Sequence, residues 1–303
     1  MFKSVSASTL PATMCDIVPL RVNLVRQCVY SALFLALATA PAHAAFQPEA
    51  VPGGVAEIAV AAAGMPRPEV RYGGKPVLLQ QRKNGWFALV GLPLDTPVGE
   101  QQLDIGPDGN SHPLPFPVSA KAYPVQKLSI KNPKMVNPDE QDLTRITAER
   151  ERQIAIRSQF RDVPVPRADL TLPASGRLSS RFGLRRVFNG EPRAPHTGLD
   201  VAVPTGTPIR APADGVISEV GDFYFNGKTV FVDHGQGFVS MVCHLSQSSV
   251  EVGQPVRRGD TLGQSGSSGR ATGPHLHWSV YLNGAAVDPA LFIGPQPAPQ
   301  SAR

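Results

Sequence analysis

The sequence predicts a mainly β protein with two β domains that are joined by one connecting helix. Short apolar runs alternate with turn residues along most of the chain, which holds 28 Gly and 31 Pro among 303 residues. Glycine and proline at this density interrupt helices and favour strands joined by turns. Residues 137–160 instead have a helix start signal followed by apolar residues at helical spacing.

The first 44 residues have the pattern of a secretion signal. Arg21 and Arg26 precede an apolar run at residues 28–38, and an Ala-x-Ala sequence ends at Ala44. Because a membrane span needs roughly 20 apolar residues, we predict cleavage after Ala44 and no stable membrane span afterwards. The mature chain is then expected to be periplasmic or secreted. An uncleaved anchor and a translation start at Met14 remain as alternatives.

Composition after that cleavage restricts the possible folds and partners. Loss of Cys15 and Cys28 would leave Cys243 alone, which excludes an internal disulfide. The full chain has 29 basic and 24 acidic residues, and removing residues 1–44 leaves 26 and 23. A balance this close to neutral argues against a nucleic-acid partner and is compatible with an anionic cell wall.

Residues 45–128 are predicted to form a small β-sandwich-like domain of immunoglobulin type. Asn-Gly and Asp-Gly pairs are strong hairpin signals, and apolar runs of strand length lie between them. The turn signals are Gly73-Gly74, Asn84-Gly85 and Asp108-Gly109, and the apolar runs are residues 55–60, 77–79, 86–90 and 103–105.

Residues 129–172 are predicted to hold the connecting helix and a Pro-rich linker. Asn137 is a suitable N-cap, Pro138 suits the first turn, and Glu140 completes a capping-box pattern. The helix is expected to run to about Phe160 with a solvated Glu and Arg face. Its expected inner positions are Leu143, Ile146, Ile154 and Phe160. Residues 163–166 read as a stiff linker, and the tail at 294–303 as disordered.

Two histidine motifs carry the chemistry of the C-terminal part. His196 and Asp200 are an even number of residues apart, as are His275 and His277, so each pair can share one face of a strand. Zinc accepts imidazole nitrogen and carboxylate oxygen, and a catalytic site keeps one position free for water. One histidine of the second pair can bind metal while its neighbour stays free for proton transfer. The chain has no His-Glu-x-x-His motif, so free histidines are the available bases.

The sequence segments around these motifs resemble those of peptidase family M23, the lysostaphin/LytM-type zinc endopeptidases of bacterial cell walls. The resemblance covers about residues 178–293, and residues 45–128 more loosely resemble a domain that precedes some secreted members. It rests on Ser180-Arg181-Phe182-Gly183, His196-Thr197-Gly198-Leu199-Asp200, Ala213-Asp214-Gly215, Val232-Asp233-His234-Gly235, His244-Leu245-Ser246, Arg258-Gly259-Asp260 and Gly273-Pro274-His275-Leu276-His277.

The resemblance implies a LytM-type antiparallel β-sheet catalytic domain over residues 173–293. It implies one Zn²⁺ per chain, held by His196, Asp200 and His277. His244 and His275 are implied to be the catalytic pair that transfers protons. Val242 stands where the family often has an aromatic residue two positions before the histidine, so a contribution from that position is absent here.

Three other residues are interpreted without a catalytic role. Cys243 precedes His244 on an apolar strand, and adjacent strand residues face opposite sides, so we interpret Cys243 as a buried apolar residue. His234 lies in a predicted turn and reads as structural or exposed. His112 lies in a Pro-rich loop and reads as solvated.

The expected function is a secreted zinc metalloendopeptidase that hydrolyses peptide cross-links of bacterial peptidoglycan. Zn²⁺ would lower the pKa of a bound water to about 7, and a neutral histidine would take the proton of that water. Two alternatives remain: a non-catalytic LytM-type activator of cell-wall amidases, and a general protease of Gly-rich proteins. The region before about Thr171 is expected either to restrict access to the zinc groove or to act as a spacer.

Overall fold

The computed structural model describes residues 46–129, 137–165 and 167–293. The predicted signal peptide at 1–44 and the predicted tail at 294–303 lie outside these residues. The described part is mainly β, so the predicted fold class is confirmed. No described helix is both long and apolar enough to cross a membrane.

The N-terminal part consists of two antiparallel sheets that pack around one apolar core. One sheet has the strand order β1-β5-β4 and the other β3-β2-β6-β7. Buried residues of both sheets, among them Ala88, Leu103 and Phe116, form that core. The strands are β1 (Val55–Ala62), β2 (Val70–Tyr72), β3 (Lys75–Pro76), β4 (Leu78–Arg82), β5 (Gly85–Gly91), β6 (Gly99–Ile105) and β7 (His112–Val118).

All three predicted turn signals connect neighbouring strands. Gly73-Gly74 joins β2 to β3, Asn84-Gly85 joins β4 to β5, and Asp108-Gly109 joins β6 to β7. The sequence did not predict β7, because three prolines alternate along it. This strand lies at a sheet edge, where the missing proline N–H groups cost no ladder bond. His112 is exposed as predicted, but it begins this strand and does not lie in a loop.

The C-terminal part is a ten-stranded sheet whose main path runs β17-β14-β15-β16-β19-β12-β9. Its pairs are antiparallel, and the strands β16 and β19 at its centre are almost wholly buried. A 3₁₀ helix, Pro289–Phe292, follows the last strand. The strands are β9 (Arg177–Ser180), β12 (Leu199–Ala202), β13 (Pro208–Arg210), β14 (Gly215–Phe223), β15 (Gly227–Gly235), β16 (Phe238–Ser248), β17 (Pro255–Val256), β18 (Thr261–Ser265), β19 (Leu276–Leu282) and β20 (Ala285–Val287).

A small third sheet connects the two parts. Strand β8 (Val125–Leu128) pairs in parallel with β10 (Arg185–Phe188), which also pairs with β11 (Glu191–Pro192). The segment that leaves the N-terminal sheets therefore adds a strand next to the C-terminal sheet.

The N-terminal sheets and the large sheet share a core. Val55, Leu78 and Leu89 belong to the same buried cluster as Trp278 and its neighbours on β19. The Asn283 side chain accepts a hydrogen bond from Gly91 N (2.7 Å) and donates one to Gly91 O (3.0 Å). The two parts are thus packed together and are not joined by a linker alone.

The helix α1 (Glu140–Arg157) differs from its predicted form at both ends. Asp139 is the N-cap and accepts a hydrogen bond from Asp142 N at 3.0 Å. Asn137 is not the cap, because its side chain bonds Glu191 and Arg193 instead. The last helical residue is Arg157, three positions before the predicted end at Phe160.

The predicted inner face of α1 was only partly correct, with Ile146 and Phe160 half-buried. Leu143 is 50% exposed and Ile154 39% exposed, and Ile156 is the buried residue of the helix. The helix packs through polar groups that we predicted to be solvated. Tyr224 donates from its hydroxyl to Asp142 (2.9 Å) and from its backbone N to Glu149 (2.7 Å). The polar groups of Tyr224, just after β14, take their hydrogen-bond partners from α1. The spacing of apolar residues along α1 cannot predict such a polar contact.

Candidate functional site

The proposed ligands come together because strands β12 and β19 are antiparallel neighbours. Asp200 lies directly opposite His277 in this pair, and His196 precedes β12 by three residues. Gly198 makes room for the His277 ring, since a Cβ at Gly198 would lie 2.6 Å from His277 Cε1. A larger residue at position 198 would therefore displace the histidine.

His196, Asp200 and His277 aim one potential ligand atom each at a common point. The distances are 3.0 Å from His196 Nε2 to Asp200 Oδ1, 2.8 Å from His277 Nδ1 to Asp200 Oδ1, and 3.0 Å between the two nitrogens. Tetrahedral Zn²⁺ with bonds of about 2.0–2.1 Å spaces its ligand atoms by about 3.3 Å. All three residues are buried, so the donor set and its spacing fit a metal ion of this kind.

In His196 and His277, the ring nitrogen that faces away from the common point makes a hydrogen bond. That bond fixes the tautomer and the orientation of each ring. His196 Nδ1 lies 2.8 Å from Arg181 O, and since a carbonyl only accepts, the proton is on Nδ1 and Nε2 is left as a ligand. The Ser279 hydroxyl lies 2.9 Å from His277 Nε2 and can accept its proton, which leaves Nδ1 for a metal. Such outer bonds orient metal-binding histidines and select their tautomer.

The electrostatics favour the metal-binding protonation states of Asp200 and His277. Burial acts to raise the pKa of Asp200, but the contacts with His196 and His277 outweigh it and hold the pKa well below its usual range. Burial lowers the pKa of His277 to about 4, against the opposing effect of Asp200. A carboxylate and a neutral imidazole are the forms that bind Zn²⁺.

His244 and His275 lie beside this cluster. Their ring centroids are 4.7 Å apart, and His275 Nε2 is 4.0 Å from Asp200 Oδ1. Each Nδ1 lies 2.8 Å from a carbonyl, Ser268 O for His244 and Gly273 O for His275. The protons are therefore on Nδ1, and neutral forms of both rings carry an unprotonated Nε2.

His244 has two further features of a functional position. Its φ is +61°, a backbone conformation that a residue with a Cβ rarely adopts and that often occurs at active sites. Burial, and then the nearby His277 and His275, lower its pKa to about 3. The ring is thus neutral at neutral pH.

Four of the five side chains, those of Asp200, His244, His275 and His277, line one open groove of about 290 Å³, whereas His196 is buried and does not line it. The sequence did not point to Gln126, Arg186, Phe188 or Arg270, which also line it. Their positions depend on the β8–β10 pairing and on the loop before β19, and neither leaves a local pattern. The lining residues are Gln126, Ser179, Ser180, Arg186, Phe188, Asp200, Ala202, His244, Arg270, Thr272, Gly273, Pro274, His275 and His277.

Cys243 and His234 lie away from the groove. Cys243 is buried in a separate apolar cluster, and burial raises its pKa to about 12, so the prediction of a buried apolar residue is confirmed. His234 lies in strand β15 and not in a turn, and it is buried and not exposed. Its role is structural, because Asp214 O and Ser240 Oγ bond its two ring nitrogens.

Comparison with known proteins finds a family match for both parts of the chain. Residues 194–289 match the model of peptidase family M23, and residues 48–121 match that of the peptidase family M23 N-terminal domain. A solved peptidase M23 structure from Pseudomonas aeruginosa is 44% identical, with a TM-score of 0.68. The match covers 82% of this chain and 97% of that one.

Curated relatives match over the C-terminal part. The peptidoglycan DD-endopeptidase ShyA of Vibrio cholerae is 41% identical over 113 residues, 37% of this chain and 26% of the relative. The DD-carboxypeptidase/endopeptidase Mpg of Neisseria meningitidis is 43% identical over 121 residues, 40% of this chain and 28% of the relative. The match thus spans about a quarter of the length of these relatives. The two family-model matches and the match along almost the whole Pseudomonas aeruginosa structure show that the chain belongs to peptidase family M23.

Proposed function

We propose that this chain is a zinc metalloendopeptidase that hydrolyses peptide cross-links of bacterial peptidoglycan. The observation that carries the proposal is the triangle of His196, Asp200 and His277 with two further histidines at its edge. The relatives named as peptidoglycan DD-endopeptidases support the choice of substrate. The predicted signal at residues 1–44 supports action in the periplasm or outside the cell.

The roles of the five residues follow from their positions. One Zn²⁺ would be held by His196, Asp200 and His277. When bound, it would supply Lewis acidity and lower the pKa of a bound water to about 7. His275 lies close enough to this cluster for its free Nε2 to accept a proton there. His244, next to His275, presents a second free Nε2, and the pair can return a proton to the leaving amine.

The presence of all five groups also argues against the non-catalytic alternative. An activator of amidases needs a binding surface but no metal ligands and no proton-transfer pair. A general protease of Gly-rich proteins would use the same five groups and is separated from the proposal by substrate alone.

The test is digestion of purified muropeptides by the mature protein, with product identification by mass spectrometry. We expect cleavage of the cross-link, loss of cleavage with a chelator, and recovery on adding Zn²⁺. The Asp200→Asn variant should lose zinc and activity, whereas His112→Ala, an exposed histidine away from the groove, should keep both. A folded wild type that carries zinc but releases no product would favour the activator, and cleavage confined to Gly-rich proteins the general protease.

We further propose that the region before about Thr171 restricts access to the groove. Strand β8 lies alongside β10, and Gln126 of β8 is part of the groove wall with Asp200 and His244. A truncation at Thr171 is a poor test, because it would remove buried core residues such as Leu170. A single N–H of the β8–β10 ladder, that of Leu128 opposite Phe188 at the end of β8, offers a milder change.

Arg185 N donates to Pro124 O at 2.9 Å, so in this parallel ladder the alternate residues Gln126 and Leu128 donate to β10, and the N–H of Lys127 faces away. We expect Leu128→Pro, which removes one ladder donor, to raise muropeptide turnover at least about threefold through a larger open population, and Lys127→Pro, which removes none, to leave it unchanged. Equal or lower turnover in a folded, zinc-loaded Leu128→Pro variant would favour a spacer role.

A further inference from the structure

The turn at residues 224–226, between β14 and β15, is bonded through its backbone to two residues that line the groove. His244 N donates to Asn226 O at 2.9 Å, and Arg270 N donates to Phe225 O at 2.8 Å. His244 has a φ of +61°, a strained conformation that persists only where the surrounding structure imposes it. The turn is therefore part of what holds the backbone of the candidate base in place.

The imidazole ring of His244 is held by a loop that packs on the end of the same turn. Its Nδ1 lies 2.8 Å from Ser268 O. The Ser268 hydroxyl accepts from Lys228 N at 2.9 Å and donates to Leu245 O at 2.7 Å. Gly227 allows this close approach, since a Cβ there would lie 2.3 Å from Ser268 Oγ. The backbone and the ring of His244 thus both depend on where the β14–β15 turn lies.

Helix α1 holds the turn through one carboxylate. Glu149 Oε2 accepts a hydrogen bond from Tyr224 N at 2.7 Å, and the Glu149 side chain is only 16% exposed. Its other oxygen, Oε1, accepts from Arg145 Nε of the same helix at 2.6 Å. One helical turn further on, Gln153 Nε2 donates to Asn226 Oδ1 at 3.4 Å. Hydrogen bonds from a backbone N–H to a carboxylate are among the stronger ones in proteins, so the Glu149 contact is the main one of these.

We propose that Glu149 is a positioning residue for His244 and acts through the turn at residues 224–226. The proposal rests on the proposed function, because it takes His244 as a proton-transfer group. Glu149 is not among the residues that line the groove, so its effect should fall on the chemical step and not on substrate binding. It also lies outside residues 194–289, which match the peptidase family model, so a helix that precedes this region would help to build the site.

The test variant is Glu149→Ala, which takes the acceptor away from Tyr224 N and lets the turn shift. A proton-transfer group must lie within hydrogen-bond reach of its target, and a misplacement of about 1 Å can cost about a hundredfold in rate. Because the shift reaches His244 through a turn, we expect a smaller loss, about tenfold in kcat for muropeptide cleavage. KM should stay within about twofold of wild type, as for a change felt only in the chemical step, and zinc at one per chain.

Three further variants separate the hydrogen bond from the stability of the fold. Glu149→Gln keeps an oxygen that can accept from Tyr224 N, while the half-exposed Arg145 can turn away, so kcat should stay within about twofold of wild type. The matched control is Arg152→Gln, which removes a different contact of α1 with the sheet, the ion pair with Glu219 at 2.6 Å. It should keep the wild-type kcat even where it lowers the melting temperature. If Glu149→Ala does not fold, Glu149→Asp replaces it, because it withdraws the carboxylate by one methylene, and it should also lower kcat.

Backbone hydrogen exchange on the zinc-loaded proteins gives a measurement that does not depend on turnover. Relative to the other amides of β16, the His244 amide should exchange at least about tenfold faster in Glu149→Ala, because its acceptor Asn226 O is less firmly held. In Glu149→Gln and Arg152→Gln it should exchange as in wild type.

Three results would overturn the proposal: wild-type kcat or wild-type His244 exchange in Glu149→Ala, an equal loss of kcat in Glu149→Gln, or an equal loss in Arg152→Gln. Failure of the proposed function would appear separately, as a zinc-loaded wild type that cleaves no muropeptide. The faster exchange in Glu149→Ala would then still show that Glu149 holds His244 in place.

Discussion

The two ends of the β15–β16 hairpin each hold a buried histidine, and the two differ in their hydrogen bonds. His234, near the turn, has both ring nitrogens bonded, to Asp214 O and Ser240 Oγ. His244, at the other end, has one nitrogen bonded, to Ser268 O, and lines the groove. Burial lowers the pKa of both, to about 4 and about 3. Burial and a lowered pKa are therefore common to both, and the unbonded nitrogen at a groove is what distinguishes a candidate base.

The largest expected effect separates metal ligand from base at the groove end. His277→Ala should lose zinc and reduce cleavage to background, because it removes one of three ligands. His275→Ala should keep zinc and lose turnover. Metal content by elemental analysis, measured beside activity, checks both variants. Loss of zinc from His275→Ala but not from His277→Ala would reverse the assignment.

The next effect tests His244 itself. We expect His244→Ala to lower turnover about a hundredfold or more while zinc content stays at one per chain, as for removal of a general acid–base group. His234→Gln should leave the turnover of the folded enzyme near that of wild type. A comparable loss of turnover in His234→Gln at full zinc loading would remove the distinction between the two ends.

A third effect concerns pH and belongs to the structural end. The pKa of His234 in the folded protein, about 4, lies below its ordinary value of 6.5, so the unfolded chain binds more protons between these values. The free energy of unfolding should therefore fall as the pH drops from 6.5 to 4. At about 1.36 kcal/mol per pKa unit, this loss is about 3 kcal/mol. Urea unfolding of wild type and His234→Gln at pH 7 and pH 4.5 should show this additional loss of unfolding free energy only in wild type. An equal loss in both proteins between the two pH values would contradict the assignment.

The smallest effect removes one hydrogen bond at the structural end. Ser240→Ala deletes the hydroxyl that lies 2.9 Å from His234 Nε2 in a fully buried position. Leaving that nitrogen unsatisfied should lower the free energy of unfolding by about 1–3 kcal/mol, with turnover unchanged. Thermal unfolding and a muropeptide assay on the same samples check both halves of this expectation.

Sequence patterns revealed the groups whose partners are local or lie on facing strands. His196 and Asp200 meet as their spacing predicted, although His196 precedes β12 and does not share a strand face with Asp200, and antiparallel pairing of Asp200 with His277 completes the cluster. The polar contacts of α1 escaped prediction, because the helix packs on Tyr224, some eighty residues further along the chain. Arg186 and Arg270 escaped for the same reason, since strand β10 and a distant loop bring them together at one aromatic ring.

The contact between Asn283 and Gly91 has a consequence for engineering this chain. Asn283 has a positive φ and uses both ends of its amide on one residue of the N-terminal sheets. Gln236, in the neighbouring hairpin turn, likewise bonds both backbone groups of Leu79. A chimera that exchanges the front half for that of another member of peptidase family M23 must therefore include a backbone surface that matches these two amides. Without that match, several buried polar groups at the interface between the two parts would have no hydrogen-bond partner.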